Sequence, residues 1–180
     1  LRMYIAKTEK TQLLEPFHPE ETIDKSILVV GGGVTGMTAA LGAAKAGYEV
    51  RLVEKAARLG GWLAKQAKSI PTKPPYRDLE ETGAEALIAE IEEHPHIRVH
   101  TSATTSQIAG APGLFDVTLK AVKNGDLGDE VLDTFRVGAI IQATGWRATD
   151  PREHLAYGQL EDVIRNVDLE EMVKNQGRIT

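Results

Sequence analysis

A glycine-rich turn between an apolar run and an alanine-rich segment constrains this chain more than any other feature. Gly31, Gly33 and Gly36 form the pattern G-x-G-x-x-G directly after the apolar run Ser26 to Val30. In dinucleotide-binding βαβ units, the first glycine permits the tight turn and the second lets the backbone approach a pyrophosphate. The third lets the helix pack closely on the strand. The turn therefore predicts a dinucleotide site in a Rossmann-like α/β domain.

The residues after the turn complete this unit. A helix is predicted from Val34 to Ala46, and its first residues, Val34 and Thr35, would present free N–H groups to the phosphates. A second strand is predicted from Tyr48 to Val53, and Glu54 follows it. An acid at this distance from the turn accepts hydrogen bonds from the adenosine ribose, and it disfavours the 2′-phosphate of NADP.

Two further segments indicate which dinucleotide is bound. The stretch Glu54-Lys55 through Gly60-Gly61 resembles the E-K-x-x-x-L-G-G extension of flavoproteins with two dinucleotide-binding domains. Lys55 would add positive charge near the phosphates. Ala143-Thr144-Gly145 resembles the A-T-G strand end of the same flavoproteins. The resemblance implies FAD. An NAD-dependent oxidoreductase domain is the alternative, but it leaves Gly60-Gly61 unexplained, and a non-catalytic partner-binding module that keeps the fold is a second alternative.

The remaining pattern predicts a three-layer Rossmann-like FAD/NAD(P)-binding fold, with a parallel sheet and a β-meander. We expect a lead-in over residues 1–25, the dinucleotide-binding domain over 26–150, and a tail with a helix over 151–180. Hydrophobic periodicity and turn residues place the later elements. The expected helices are Leu79–Glu93 and Glu161–Lys174, and the expected strands are Ile97–Thr101, Thr105–Ile108, Leu114–Val122, Val131–Val137 and Ala139–Ala143.

Composition excludes several classes of function. The net charge of -5 gives no general attraction to nucleic acid or to an anionic membrane. We find no apolar run long enough to span a bilayer and no signal-peptide pattern, so we expect a cytoplasmic location without membrane insertion. The chain contains no cysteine, which excludes disulfides, thiolate catalysis and cysteine-held clusters within this segment.

Beyond the flavin motifs, the chain resembles the heterodisulfide reductase family, specifically its A-type subunits and their relatives. The resemblance is carried by Arg2-Met3, Leu14-Glu15-Pro16, His94-Pro-His-Ile97, Tyr157-Gly158 and Asp162-Val163-Ile164. It implies a flavin that exchanges electrons with iron–sulfur or disulfide partners, and it implies other redox subunits, iron–sulfur proteins among them, as partners. The chain departs from the family at residues 65–79, where cluster-binding members have cysteines and this sequence has none.

Other residues give weaker signals. His94, His96 and His100 do not predict a metal site, because Pro95 splits them and no acid is obviously convergent. Trp62 and Trp146 each follow a motif glycine, and we expect them to pack in the protein. No catalytic side chain is predicted, since a flavin itself carries the redox step. No segment is identified that would contact the isoalloxazine ring, so we expect this part of a longer flavoprotein to hold FAD weakly.

Overall fold

A computed structural model describes residues 22–151 and 156–176 of the chain. Most of the predicted lead-in, including Arg2-Met3 and Leu14-Glu15-Pro16, lies outside these residues. The helices are α1 (Val34–Lys45), α2 (Ala84–Glu92) and α3 (Asn166–Gln176), and the strands are β1 (Ile27–Val30), β2 (Val50–Val53), β3 (Ile97–His100), β4 (Ala103–Ala111), β5 (Leu114–Lys123), β6 (Asp126–Val137) and β7 (Ala139–Gln142).

The central layer is a four-stranded parallel sheet in the order β3-β2-β1-β7. Strand β1 lies inside the sheet, with Val30 in register with Val53 of β2 and with Gln142 of β7. Its apolar residues face both sides of the sheet, as expected for a strand covered on both faces. The carboxyl ends of β1, β2 and β7 consequently meet at one edge, directly beside the glycine turn.

Helices α1 and α2 cover one face of this sheet. Met37, Ala40 and Leu41 of α1 and Ile88 and Ile91 of α2 are buried against Val29, Val50 and Leu52. The small residues of α1 let the helix lie close to the strands, which places its N-terminus at the edge where the strands end.

An antiparallel meander of β4, β5 and β6 covers the opposite face. Val117, Leu119 and Val137 of the meander are fully buried against Leu28 and Val53 of the parallel sheet. Helices, parallel sheet and meander make three layers, which confirms the predicted α/β class. No helix among the described residues is long and apolar enough to cross a bilayer.

Several predicted element boundaries are wrong. The helix expected from Leu79 begins at Ala84, because Gly83 adopts a left-handed φ of 68° and Glu80 pairs its backbone with Ser69. The final helix begins at Asn166 rather than Glu161. Strands β4 and β6 are also longer than predicted, and each reaches a tight turn at one end of β5. Between β5 and β6 the turn is only two residues long, because Asn124 and Gly125 adopt positive φ angles of 54° and 89°.

Candidate functional site

The glycine turn lies at the edge where the parallel strands end. The backbone N–H of Gly31 donates to the carbonyl of Val53 across 2.8 Å, and Gly31 has a φ of 111°. A Cβ on Gly31 would lie 2.3 Å from the carbonyl oxygen of Ala143, and one on Gly36 would lie 1.7 Å from the carbonyl oxygen of Gly31. Neither position has room for a side chain. Backbone of the segment after β7 blocks a side chain at Gly31, and backbone of the turn itself blocks one at Gly36.

Gly33 is different, because its missing side chain leaves open space. No atom lies within 4 Å of an ideal Cβ on Gly33, and its φ of -77° suits any residue. It is the N-cap of α1, and no side chain caps that helix end. The next residues, Val34 and Thr35, are exposed. The free N–H groups of the first helical turn are thus exposed beside open space at Gly33, which is the arrangement that binds phosphate.

Glu54 is buried at the end of β2 and holds the turn through its carboxylate. Oε2 accepts the N–H of Gly32 across 2.6 Å, and Oε1 accepts the N–H of Ala56 across 2.7 Å. Glu54 is the buried charged residue of the described core, at 8% exposure. Each carboxylate oxygen has a second acceptor site, so the group can hold the turn and still accept a ligand hydroxyl.

A small cavity of about 100 Å³ opens beside this carboxylate. Glu54, Lys55 and Thr144 line it together with Gly31, which brings residues of three predicted motifs to one place. The cavity lies at the carboxyl ends of β1 and β2, where open α/β sheets bind ligands. The Lys55 side chain is exposed.

The second glycine pair lies against the first turn. The N–H of Gly60 donates to the carbonyl of Gly32 across 2.8 Å, and Gly33 and Gly60 form a parallel bridge. A Cβ on Gly61 would lie 3.0 Å from the Cα of Gly33. These two glycines thus let one backbone segment lie directly against another.

The predicted A-T-G segment flanks the turn on its third side. The N–H of Ala143 donates to the carbonyl of Val30 across 2.8 Å, which continues the pairing of β7 with β1. Thr144 follows at the small cavity, and Gly145 is exposed. The structure therefore brings the glycine turn, the acid after β2, the second glycine pair and the A-T-G segment together.

The pairing of the two tryptophans was not predicted from the sequence. The rings of Trp62 and Trp146 stack with centroids 4.7 Å apart and planes 12° apart, and Trp62 Nε1 donates to the Trp146 carbonyl across 3.2 Å. The only sequence signal was that each follows a motif glycine. Packing was expected, yet Trp146 is 61% exposed. The stack joins the segment after Gly61 to the segment after Gly145.

The role of Gly32 was also missed, because the G-x-G-x-x-G pattern leaves its second position open. The backbone N–H of Gly32 donates a hydrogen bond to the Glu54 carboxylate. A Cβ on Gly32 would lie 2.5 Å from Leu59 Cδ2 and 2.9 Å from Glu54 Cβ, so the position has little room for a side chain.

The histidines lie apart from this site. His96 pairs with Glu49 through Nδ1 across 2.6 Å, and no group of three or more potential metal ligands converges within residues 22–151 and 156–176. His100 packs its ring against Phe135 between the two sheets, and its Nε2 has no hydrogen-bond partner. Burial, and then the charge of Arg51, lower the pKa of His100 below its usual 6.5.

The residues of this site fall within a range that matches a known protein family. Residues 26–149 match the family model described as FAD dependent oxidoreductase. The matched range covers more than half of the chain and includes every residue of the site described above.

The chain is also similar to curated proteins of archaea. It is 36% identical over 116 residues to a protein of Archaeoglobus profundus that is described as like an A-type heterodisulfide reductase subunit, covering 64% of this chain and 16% of that protein. It is 35% identical over 120 residues to an A-type iron–sulfur subunit of the CoB–CoM heterodisulfide reductase of Methanopyrus kandleri, covering 67% of this chain and 17% of that protein. The chain thus spans about one sixth of the length of these relatives.

Solved structures share the fold. The thioredoxin reductase of T. acidophilum aligns with a TM-score of 0.54 at 20% identity, over 72% of this chain and 38% of that chain. The thioredoxin reductase of Lactococcus lactis aligns with a TM-score of 0.52 at 19% identity, over 71% of this chain and 37% of that chain. At these identities the likeness concerns the fold alone.

Proposed function

Because this chain belongs to the FAD-dependent oxidoreductase family, we propose that it is the FAD-binding domain of a flavoprotein that passes electrons between its flavin and iron–sulfur or disulfide partners. The curated relatives confirm the resemblance to the heterodisulfide reductase family. The family match settles the choice between FAD and an NAD-dependent domain in favour of FAD. The electron-transfer role of the whole protein is the proposal.

One observation carries the cofactor site: the open space at Gly33 lies beside a turn that elsewhere has no room. The flanking positions, Gly31 and Gly36, are closed by backbone at 2.3 Å and 1.7 Å, whereas Gly33 has nothing within 4 Å. Close backbone neighbours require glycine at Gly31 and Gly36, whereas no protein atom requires it at Gly33. Gly33 instead faces open space at the positive end of α1, which suits a pyrophosphate.

The other predicted site residues would each contact or support a different part of the cofactor. The N–H groups at Val34 and Thr35 would donate to the phosphates, and Glu54 would accept the ribose hydroxyls in the cavity that Lys55 and Thr144 also line. A Lys55 ammonium at the cavity mouth would offset the cofactor's negative charge. Gly60, Gly61 and the strand end Ala143 to Gly145 would support the turn from both sides.

The bound flavin would supply one- and two-electron redox chemistry, and this chain would bind and orient it. This division of labour agrees with the lack of any predicted catalytic side chain.

We also propose redox subunits, iron–sulfur proteins in particular, as partners of this domain. The support is twofold: a similar protein of Methanopyrus kandleri is described as an iron–sulfur subunit, and this chain has no cysteine of its own to hold a cluster. Any cysteine-held cluster that exchanges electrons with this flavin would therefore be bound by residues outside these 180. A cytoplasmic location stays a prediction.

Electron exchange with a protein-bound cluster tests this proposal directly. The purified chain would be loaded with FAD under anaerobic conditions and mixed with a ferredoxin that stoichiometric dithionite has reduced beforehand. We expect the visible flavin band to bleach as electrons pass from the ferredoxin to the flavin and the ferredoxin is reoxidised. A chain that binds FAD but exchanges no electrons with the ferredoxin or with a disulfide acceptor would instead act as a non-catalytic module, and the proposed electron transfer would be wrong.

A further inference from the structure

The segment from Lys55 to Arg77 concentrates positive charge in an otherwise acidic chain. It contains no aspartate or glutamate, although the whole chain has a net charge of -5. Its six basic side chains are all exposed, and they belong to Lys55, Arg58, Lys65, Lys68, Lys73 and Arg77. A local group of charges of one sign attracts molecules of the opposite sign before contact. The segment therefore favours an acidic partner.

This segment ends in a surface loop with a closed base. Ser69 and Glu80 exchange both of their backbone hydrogen bonds, at 2.8 Å and 2.9 Å. Residues 70–79 form the loop between them, termed the basic loop. Three of its ten residues are prolines, which limit the shapes that the backbone can adopt, and Pro71 is buried. A loop restricted in this way loses little conformational freedom when a partner binds.

Large apolar side chains of the basic loop lie in solvent. Ile70 is 77% exposed, Leu79 is 62% exposed and Tyr76 is 59% exposed. Tyr76 also has a φ of 58°, in a region that bulky residues avoid, so the loop keeps this residue at a cost in free energy. Exposed aromatic and apolar side chains beside an arginine, here Arg77, are typical of protein interfaces. The loop thus has apolar surface as well as charge.

The two basic residues of the loop, Lys73 and Arg77, are not neutralised by the protein. Within the part of the chain that the structure describes, neither forms an ion pair. Earlier in the segment, by contrast, Arg58 and Lys68 pair with acids outside it. The loop contains one acid, Asp78, which is exposed. The positive charges of Lys73 and Arg77 are therefore available to a partner.

The same segment connects the basic loop to the proposed cofactor site. Its first residue, Lys55, lines the small cavity beside Glu54. Further along, the N–H of Gly60 donates to the carbonyl of Gly32 in the glycine turn. A partner on the loop would therefore contact a segment that is itself bonded to the turn. This continuity favours a redox partner over one that acts elsewhere on the chain.

We infer that the basic loop docks an acidic iron–sulfur protein that exchanges electrons with the flavin. The inference rests on the proposed function and adds the surface on which the partner binds. Lys73 and Arg77 attract the partner's carboxylates, and Tyr76 packs against its surface. Each reduced cluster gives up one electron and is oxidised, and two such electrons, with protons from solvent, reduce the flavin. An anionic membrane fits the loop less well, because the exposed acids Asp78 and Glu80 are repelled by lipid phosphates.

Stopped-flow mixing of the FAD-loaded chain with an acidic ferredoxin, reduced beforehand with dithionite, tests the inference. The measured quantity is the second-order rate constant for bleaching of the flavin. Lys73→Glu combined with Arg77→Glu should lower this constant at least about tenfold at low ionic strength. Lys25→Glu combined with Lys123→Glu is the control, because it changes the net charge equally at exposed lysines outside the loop. The control should change the constant less than about threefold, and added salt should shrink the difference between wild type and the loop variant.

Single variants separate the charge of the loop from its apolar contact. Asp78→Asn should raise the rate constant at low ionic strength, since it removes the acid of the loop. Tyr76→Asn should lower it about threefold or more, because it removes the ring while asparagine tolerates the positive φ. Tyr48→Asn, at an exposed tyrosine outside the loop, is the matched control and should react as wild type does. The affinity for FAD should be the same in all of these variants.

A Lys73→Glu and Arg77→Glu variant that reacts as fast as wild type would overturn the inference while leaving electron exchange with ferredoxin intact. Equal slowing by the control pair would also overturn it, because net charge rather than the loop would then be responsible. Binding of wild type, but not of the loop variant, to phosphatidylserine vesicles would assign the loop to a lipid surface instead. If the loop variant fails to fold, Asp78→Asn and Tyr76→Asn decide the question. Failure of ferredoxin to bleach the FAD-loaded wild type would count against the proposed function itself.

Discussion

The backbone N–H of Gly32 donates to the carboxylate of Glu54 across 2.6 Å, and this bond links the glycine turn to the end of the neighbouring strand. The second oxygen of the carboxylate accepts the N–H of Ala56, so one buried acid is bonded both to the glycine turn and to the segment that follows β2. Glu54 therefore has a structural role in addition to its proposed role toward the ribose. Variants at this position should affect folding as well as binding.

Glu54→Gln should lower the free energy of unfolding by about 1–3 kcal/mol, because an amide NH₂ group cannot accept a backbone N–H and one buried donor loses its partner. Urea unfolding followed by circular dichroism measures the loss. Glu85→Gln is the matched control, since Glu85 is exposed and pairs with Arg58 at the surface. That change should cost little. Equal stability of Glu54→Gln and wild type would show that the backbone bond lost on substitution is unimportant for folding.

Three glycines around α1 should respond differently to the same substitution. Gly36→Ala should lower the free energy of unfolding by about 1–3 kcal/mol or more, because its Cβ would overlap backbone. Gly42→Ala, with nothing within 4 Å of its Cβ, should raise it by about 1 kcal/mol through helix propensity. Gly33→Ala should leave the fold intact. Thermal unfolding compares the three variants, and a Gly36→Ala protein as stable as wild type would refute the close packing of turn and helix.

His100 predicts a loss of stability on acidification. Its folded-state pKa is lowered from 6.5 by burial first and Arg51 second, with Arg98 adding to the effect and Asp133 opposing it. The unfolded chain therefore binds a proton more readily than the folded chain. The free energy of unfolding therefore has its full value above about pH 6.5, where His100 is neutral in both states. It decreases as the pH falls from 6.5 through the lowered folded-state pKa of His100.

Urea unfolding between pH 7.5 and 5, at roughly half-unit steps about the ordinary histidine pKa, measures this effect. His100→Gln should flatten the pH dependence, because it removes the titrating group from the space between the sheets. His96→Gln, at an exposed histidine paired with Glu49, is the control and should keep the slope of wild type. An identical slope in His100→Gln and wild type would exclude His100 as the group responsible.

The sequence predicted the parts of the fold that depend on local pattern. The sequence shows where glycine is required by a tight turn or a close approach of two backbone segments. The structure confirms such close approaches at Gly31, Gly36 and Gly60, where a Cβ would meet neighbouring atoms of the chain. The three-layer arrangement followed from apolar strands and an alanine-rich helix. The helix start at Ala84 was missed because a long-range pairing of Ser69 with Glu80 competes with helix formation before Gly83.

The contacts between distant segments could not be read from the sequence. The stack of Trp62 on Trp146 joins residues 84 positions apart. The docking of α3 depends on the bond between Glu170 and Ala67, which are 103 positions apart. No sequence pattern predicts either contact, because two segments that are far apart in the chain come together only through the whole fold.

A calorimetric titration of FAD into wild type, Gly33→Val and Gly42→Ala decides whether FAD binds at the glycine turn. We expect one FAD per wild-type chain and unchanged binding by Gly42→Ala. A folded Gly33→Val should bind at least about tenfold more weakly, because its branched side chain fills the open space where phosphate would lie. Saturable binding by Gly33→Val at wild-type affinity, or no saturable binding by wild type, would contradict the assignment of FAD to this turn.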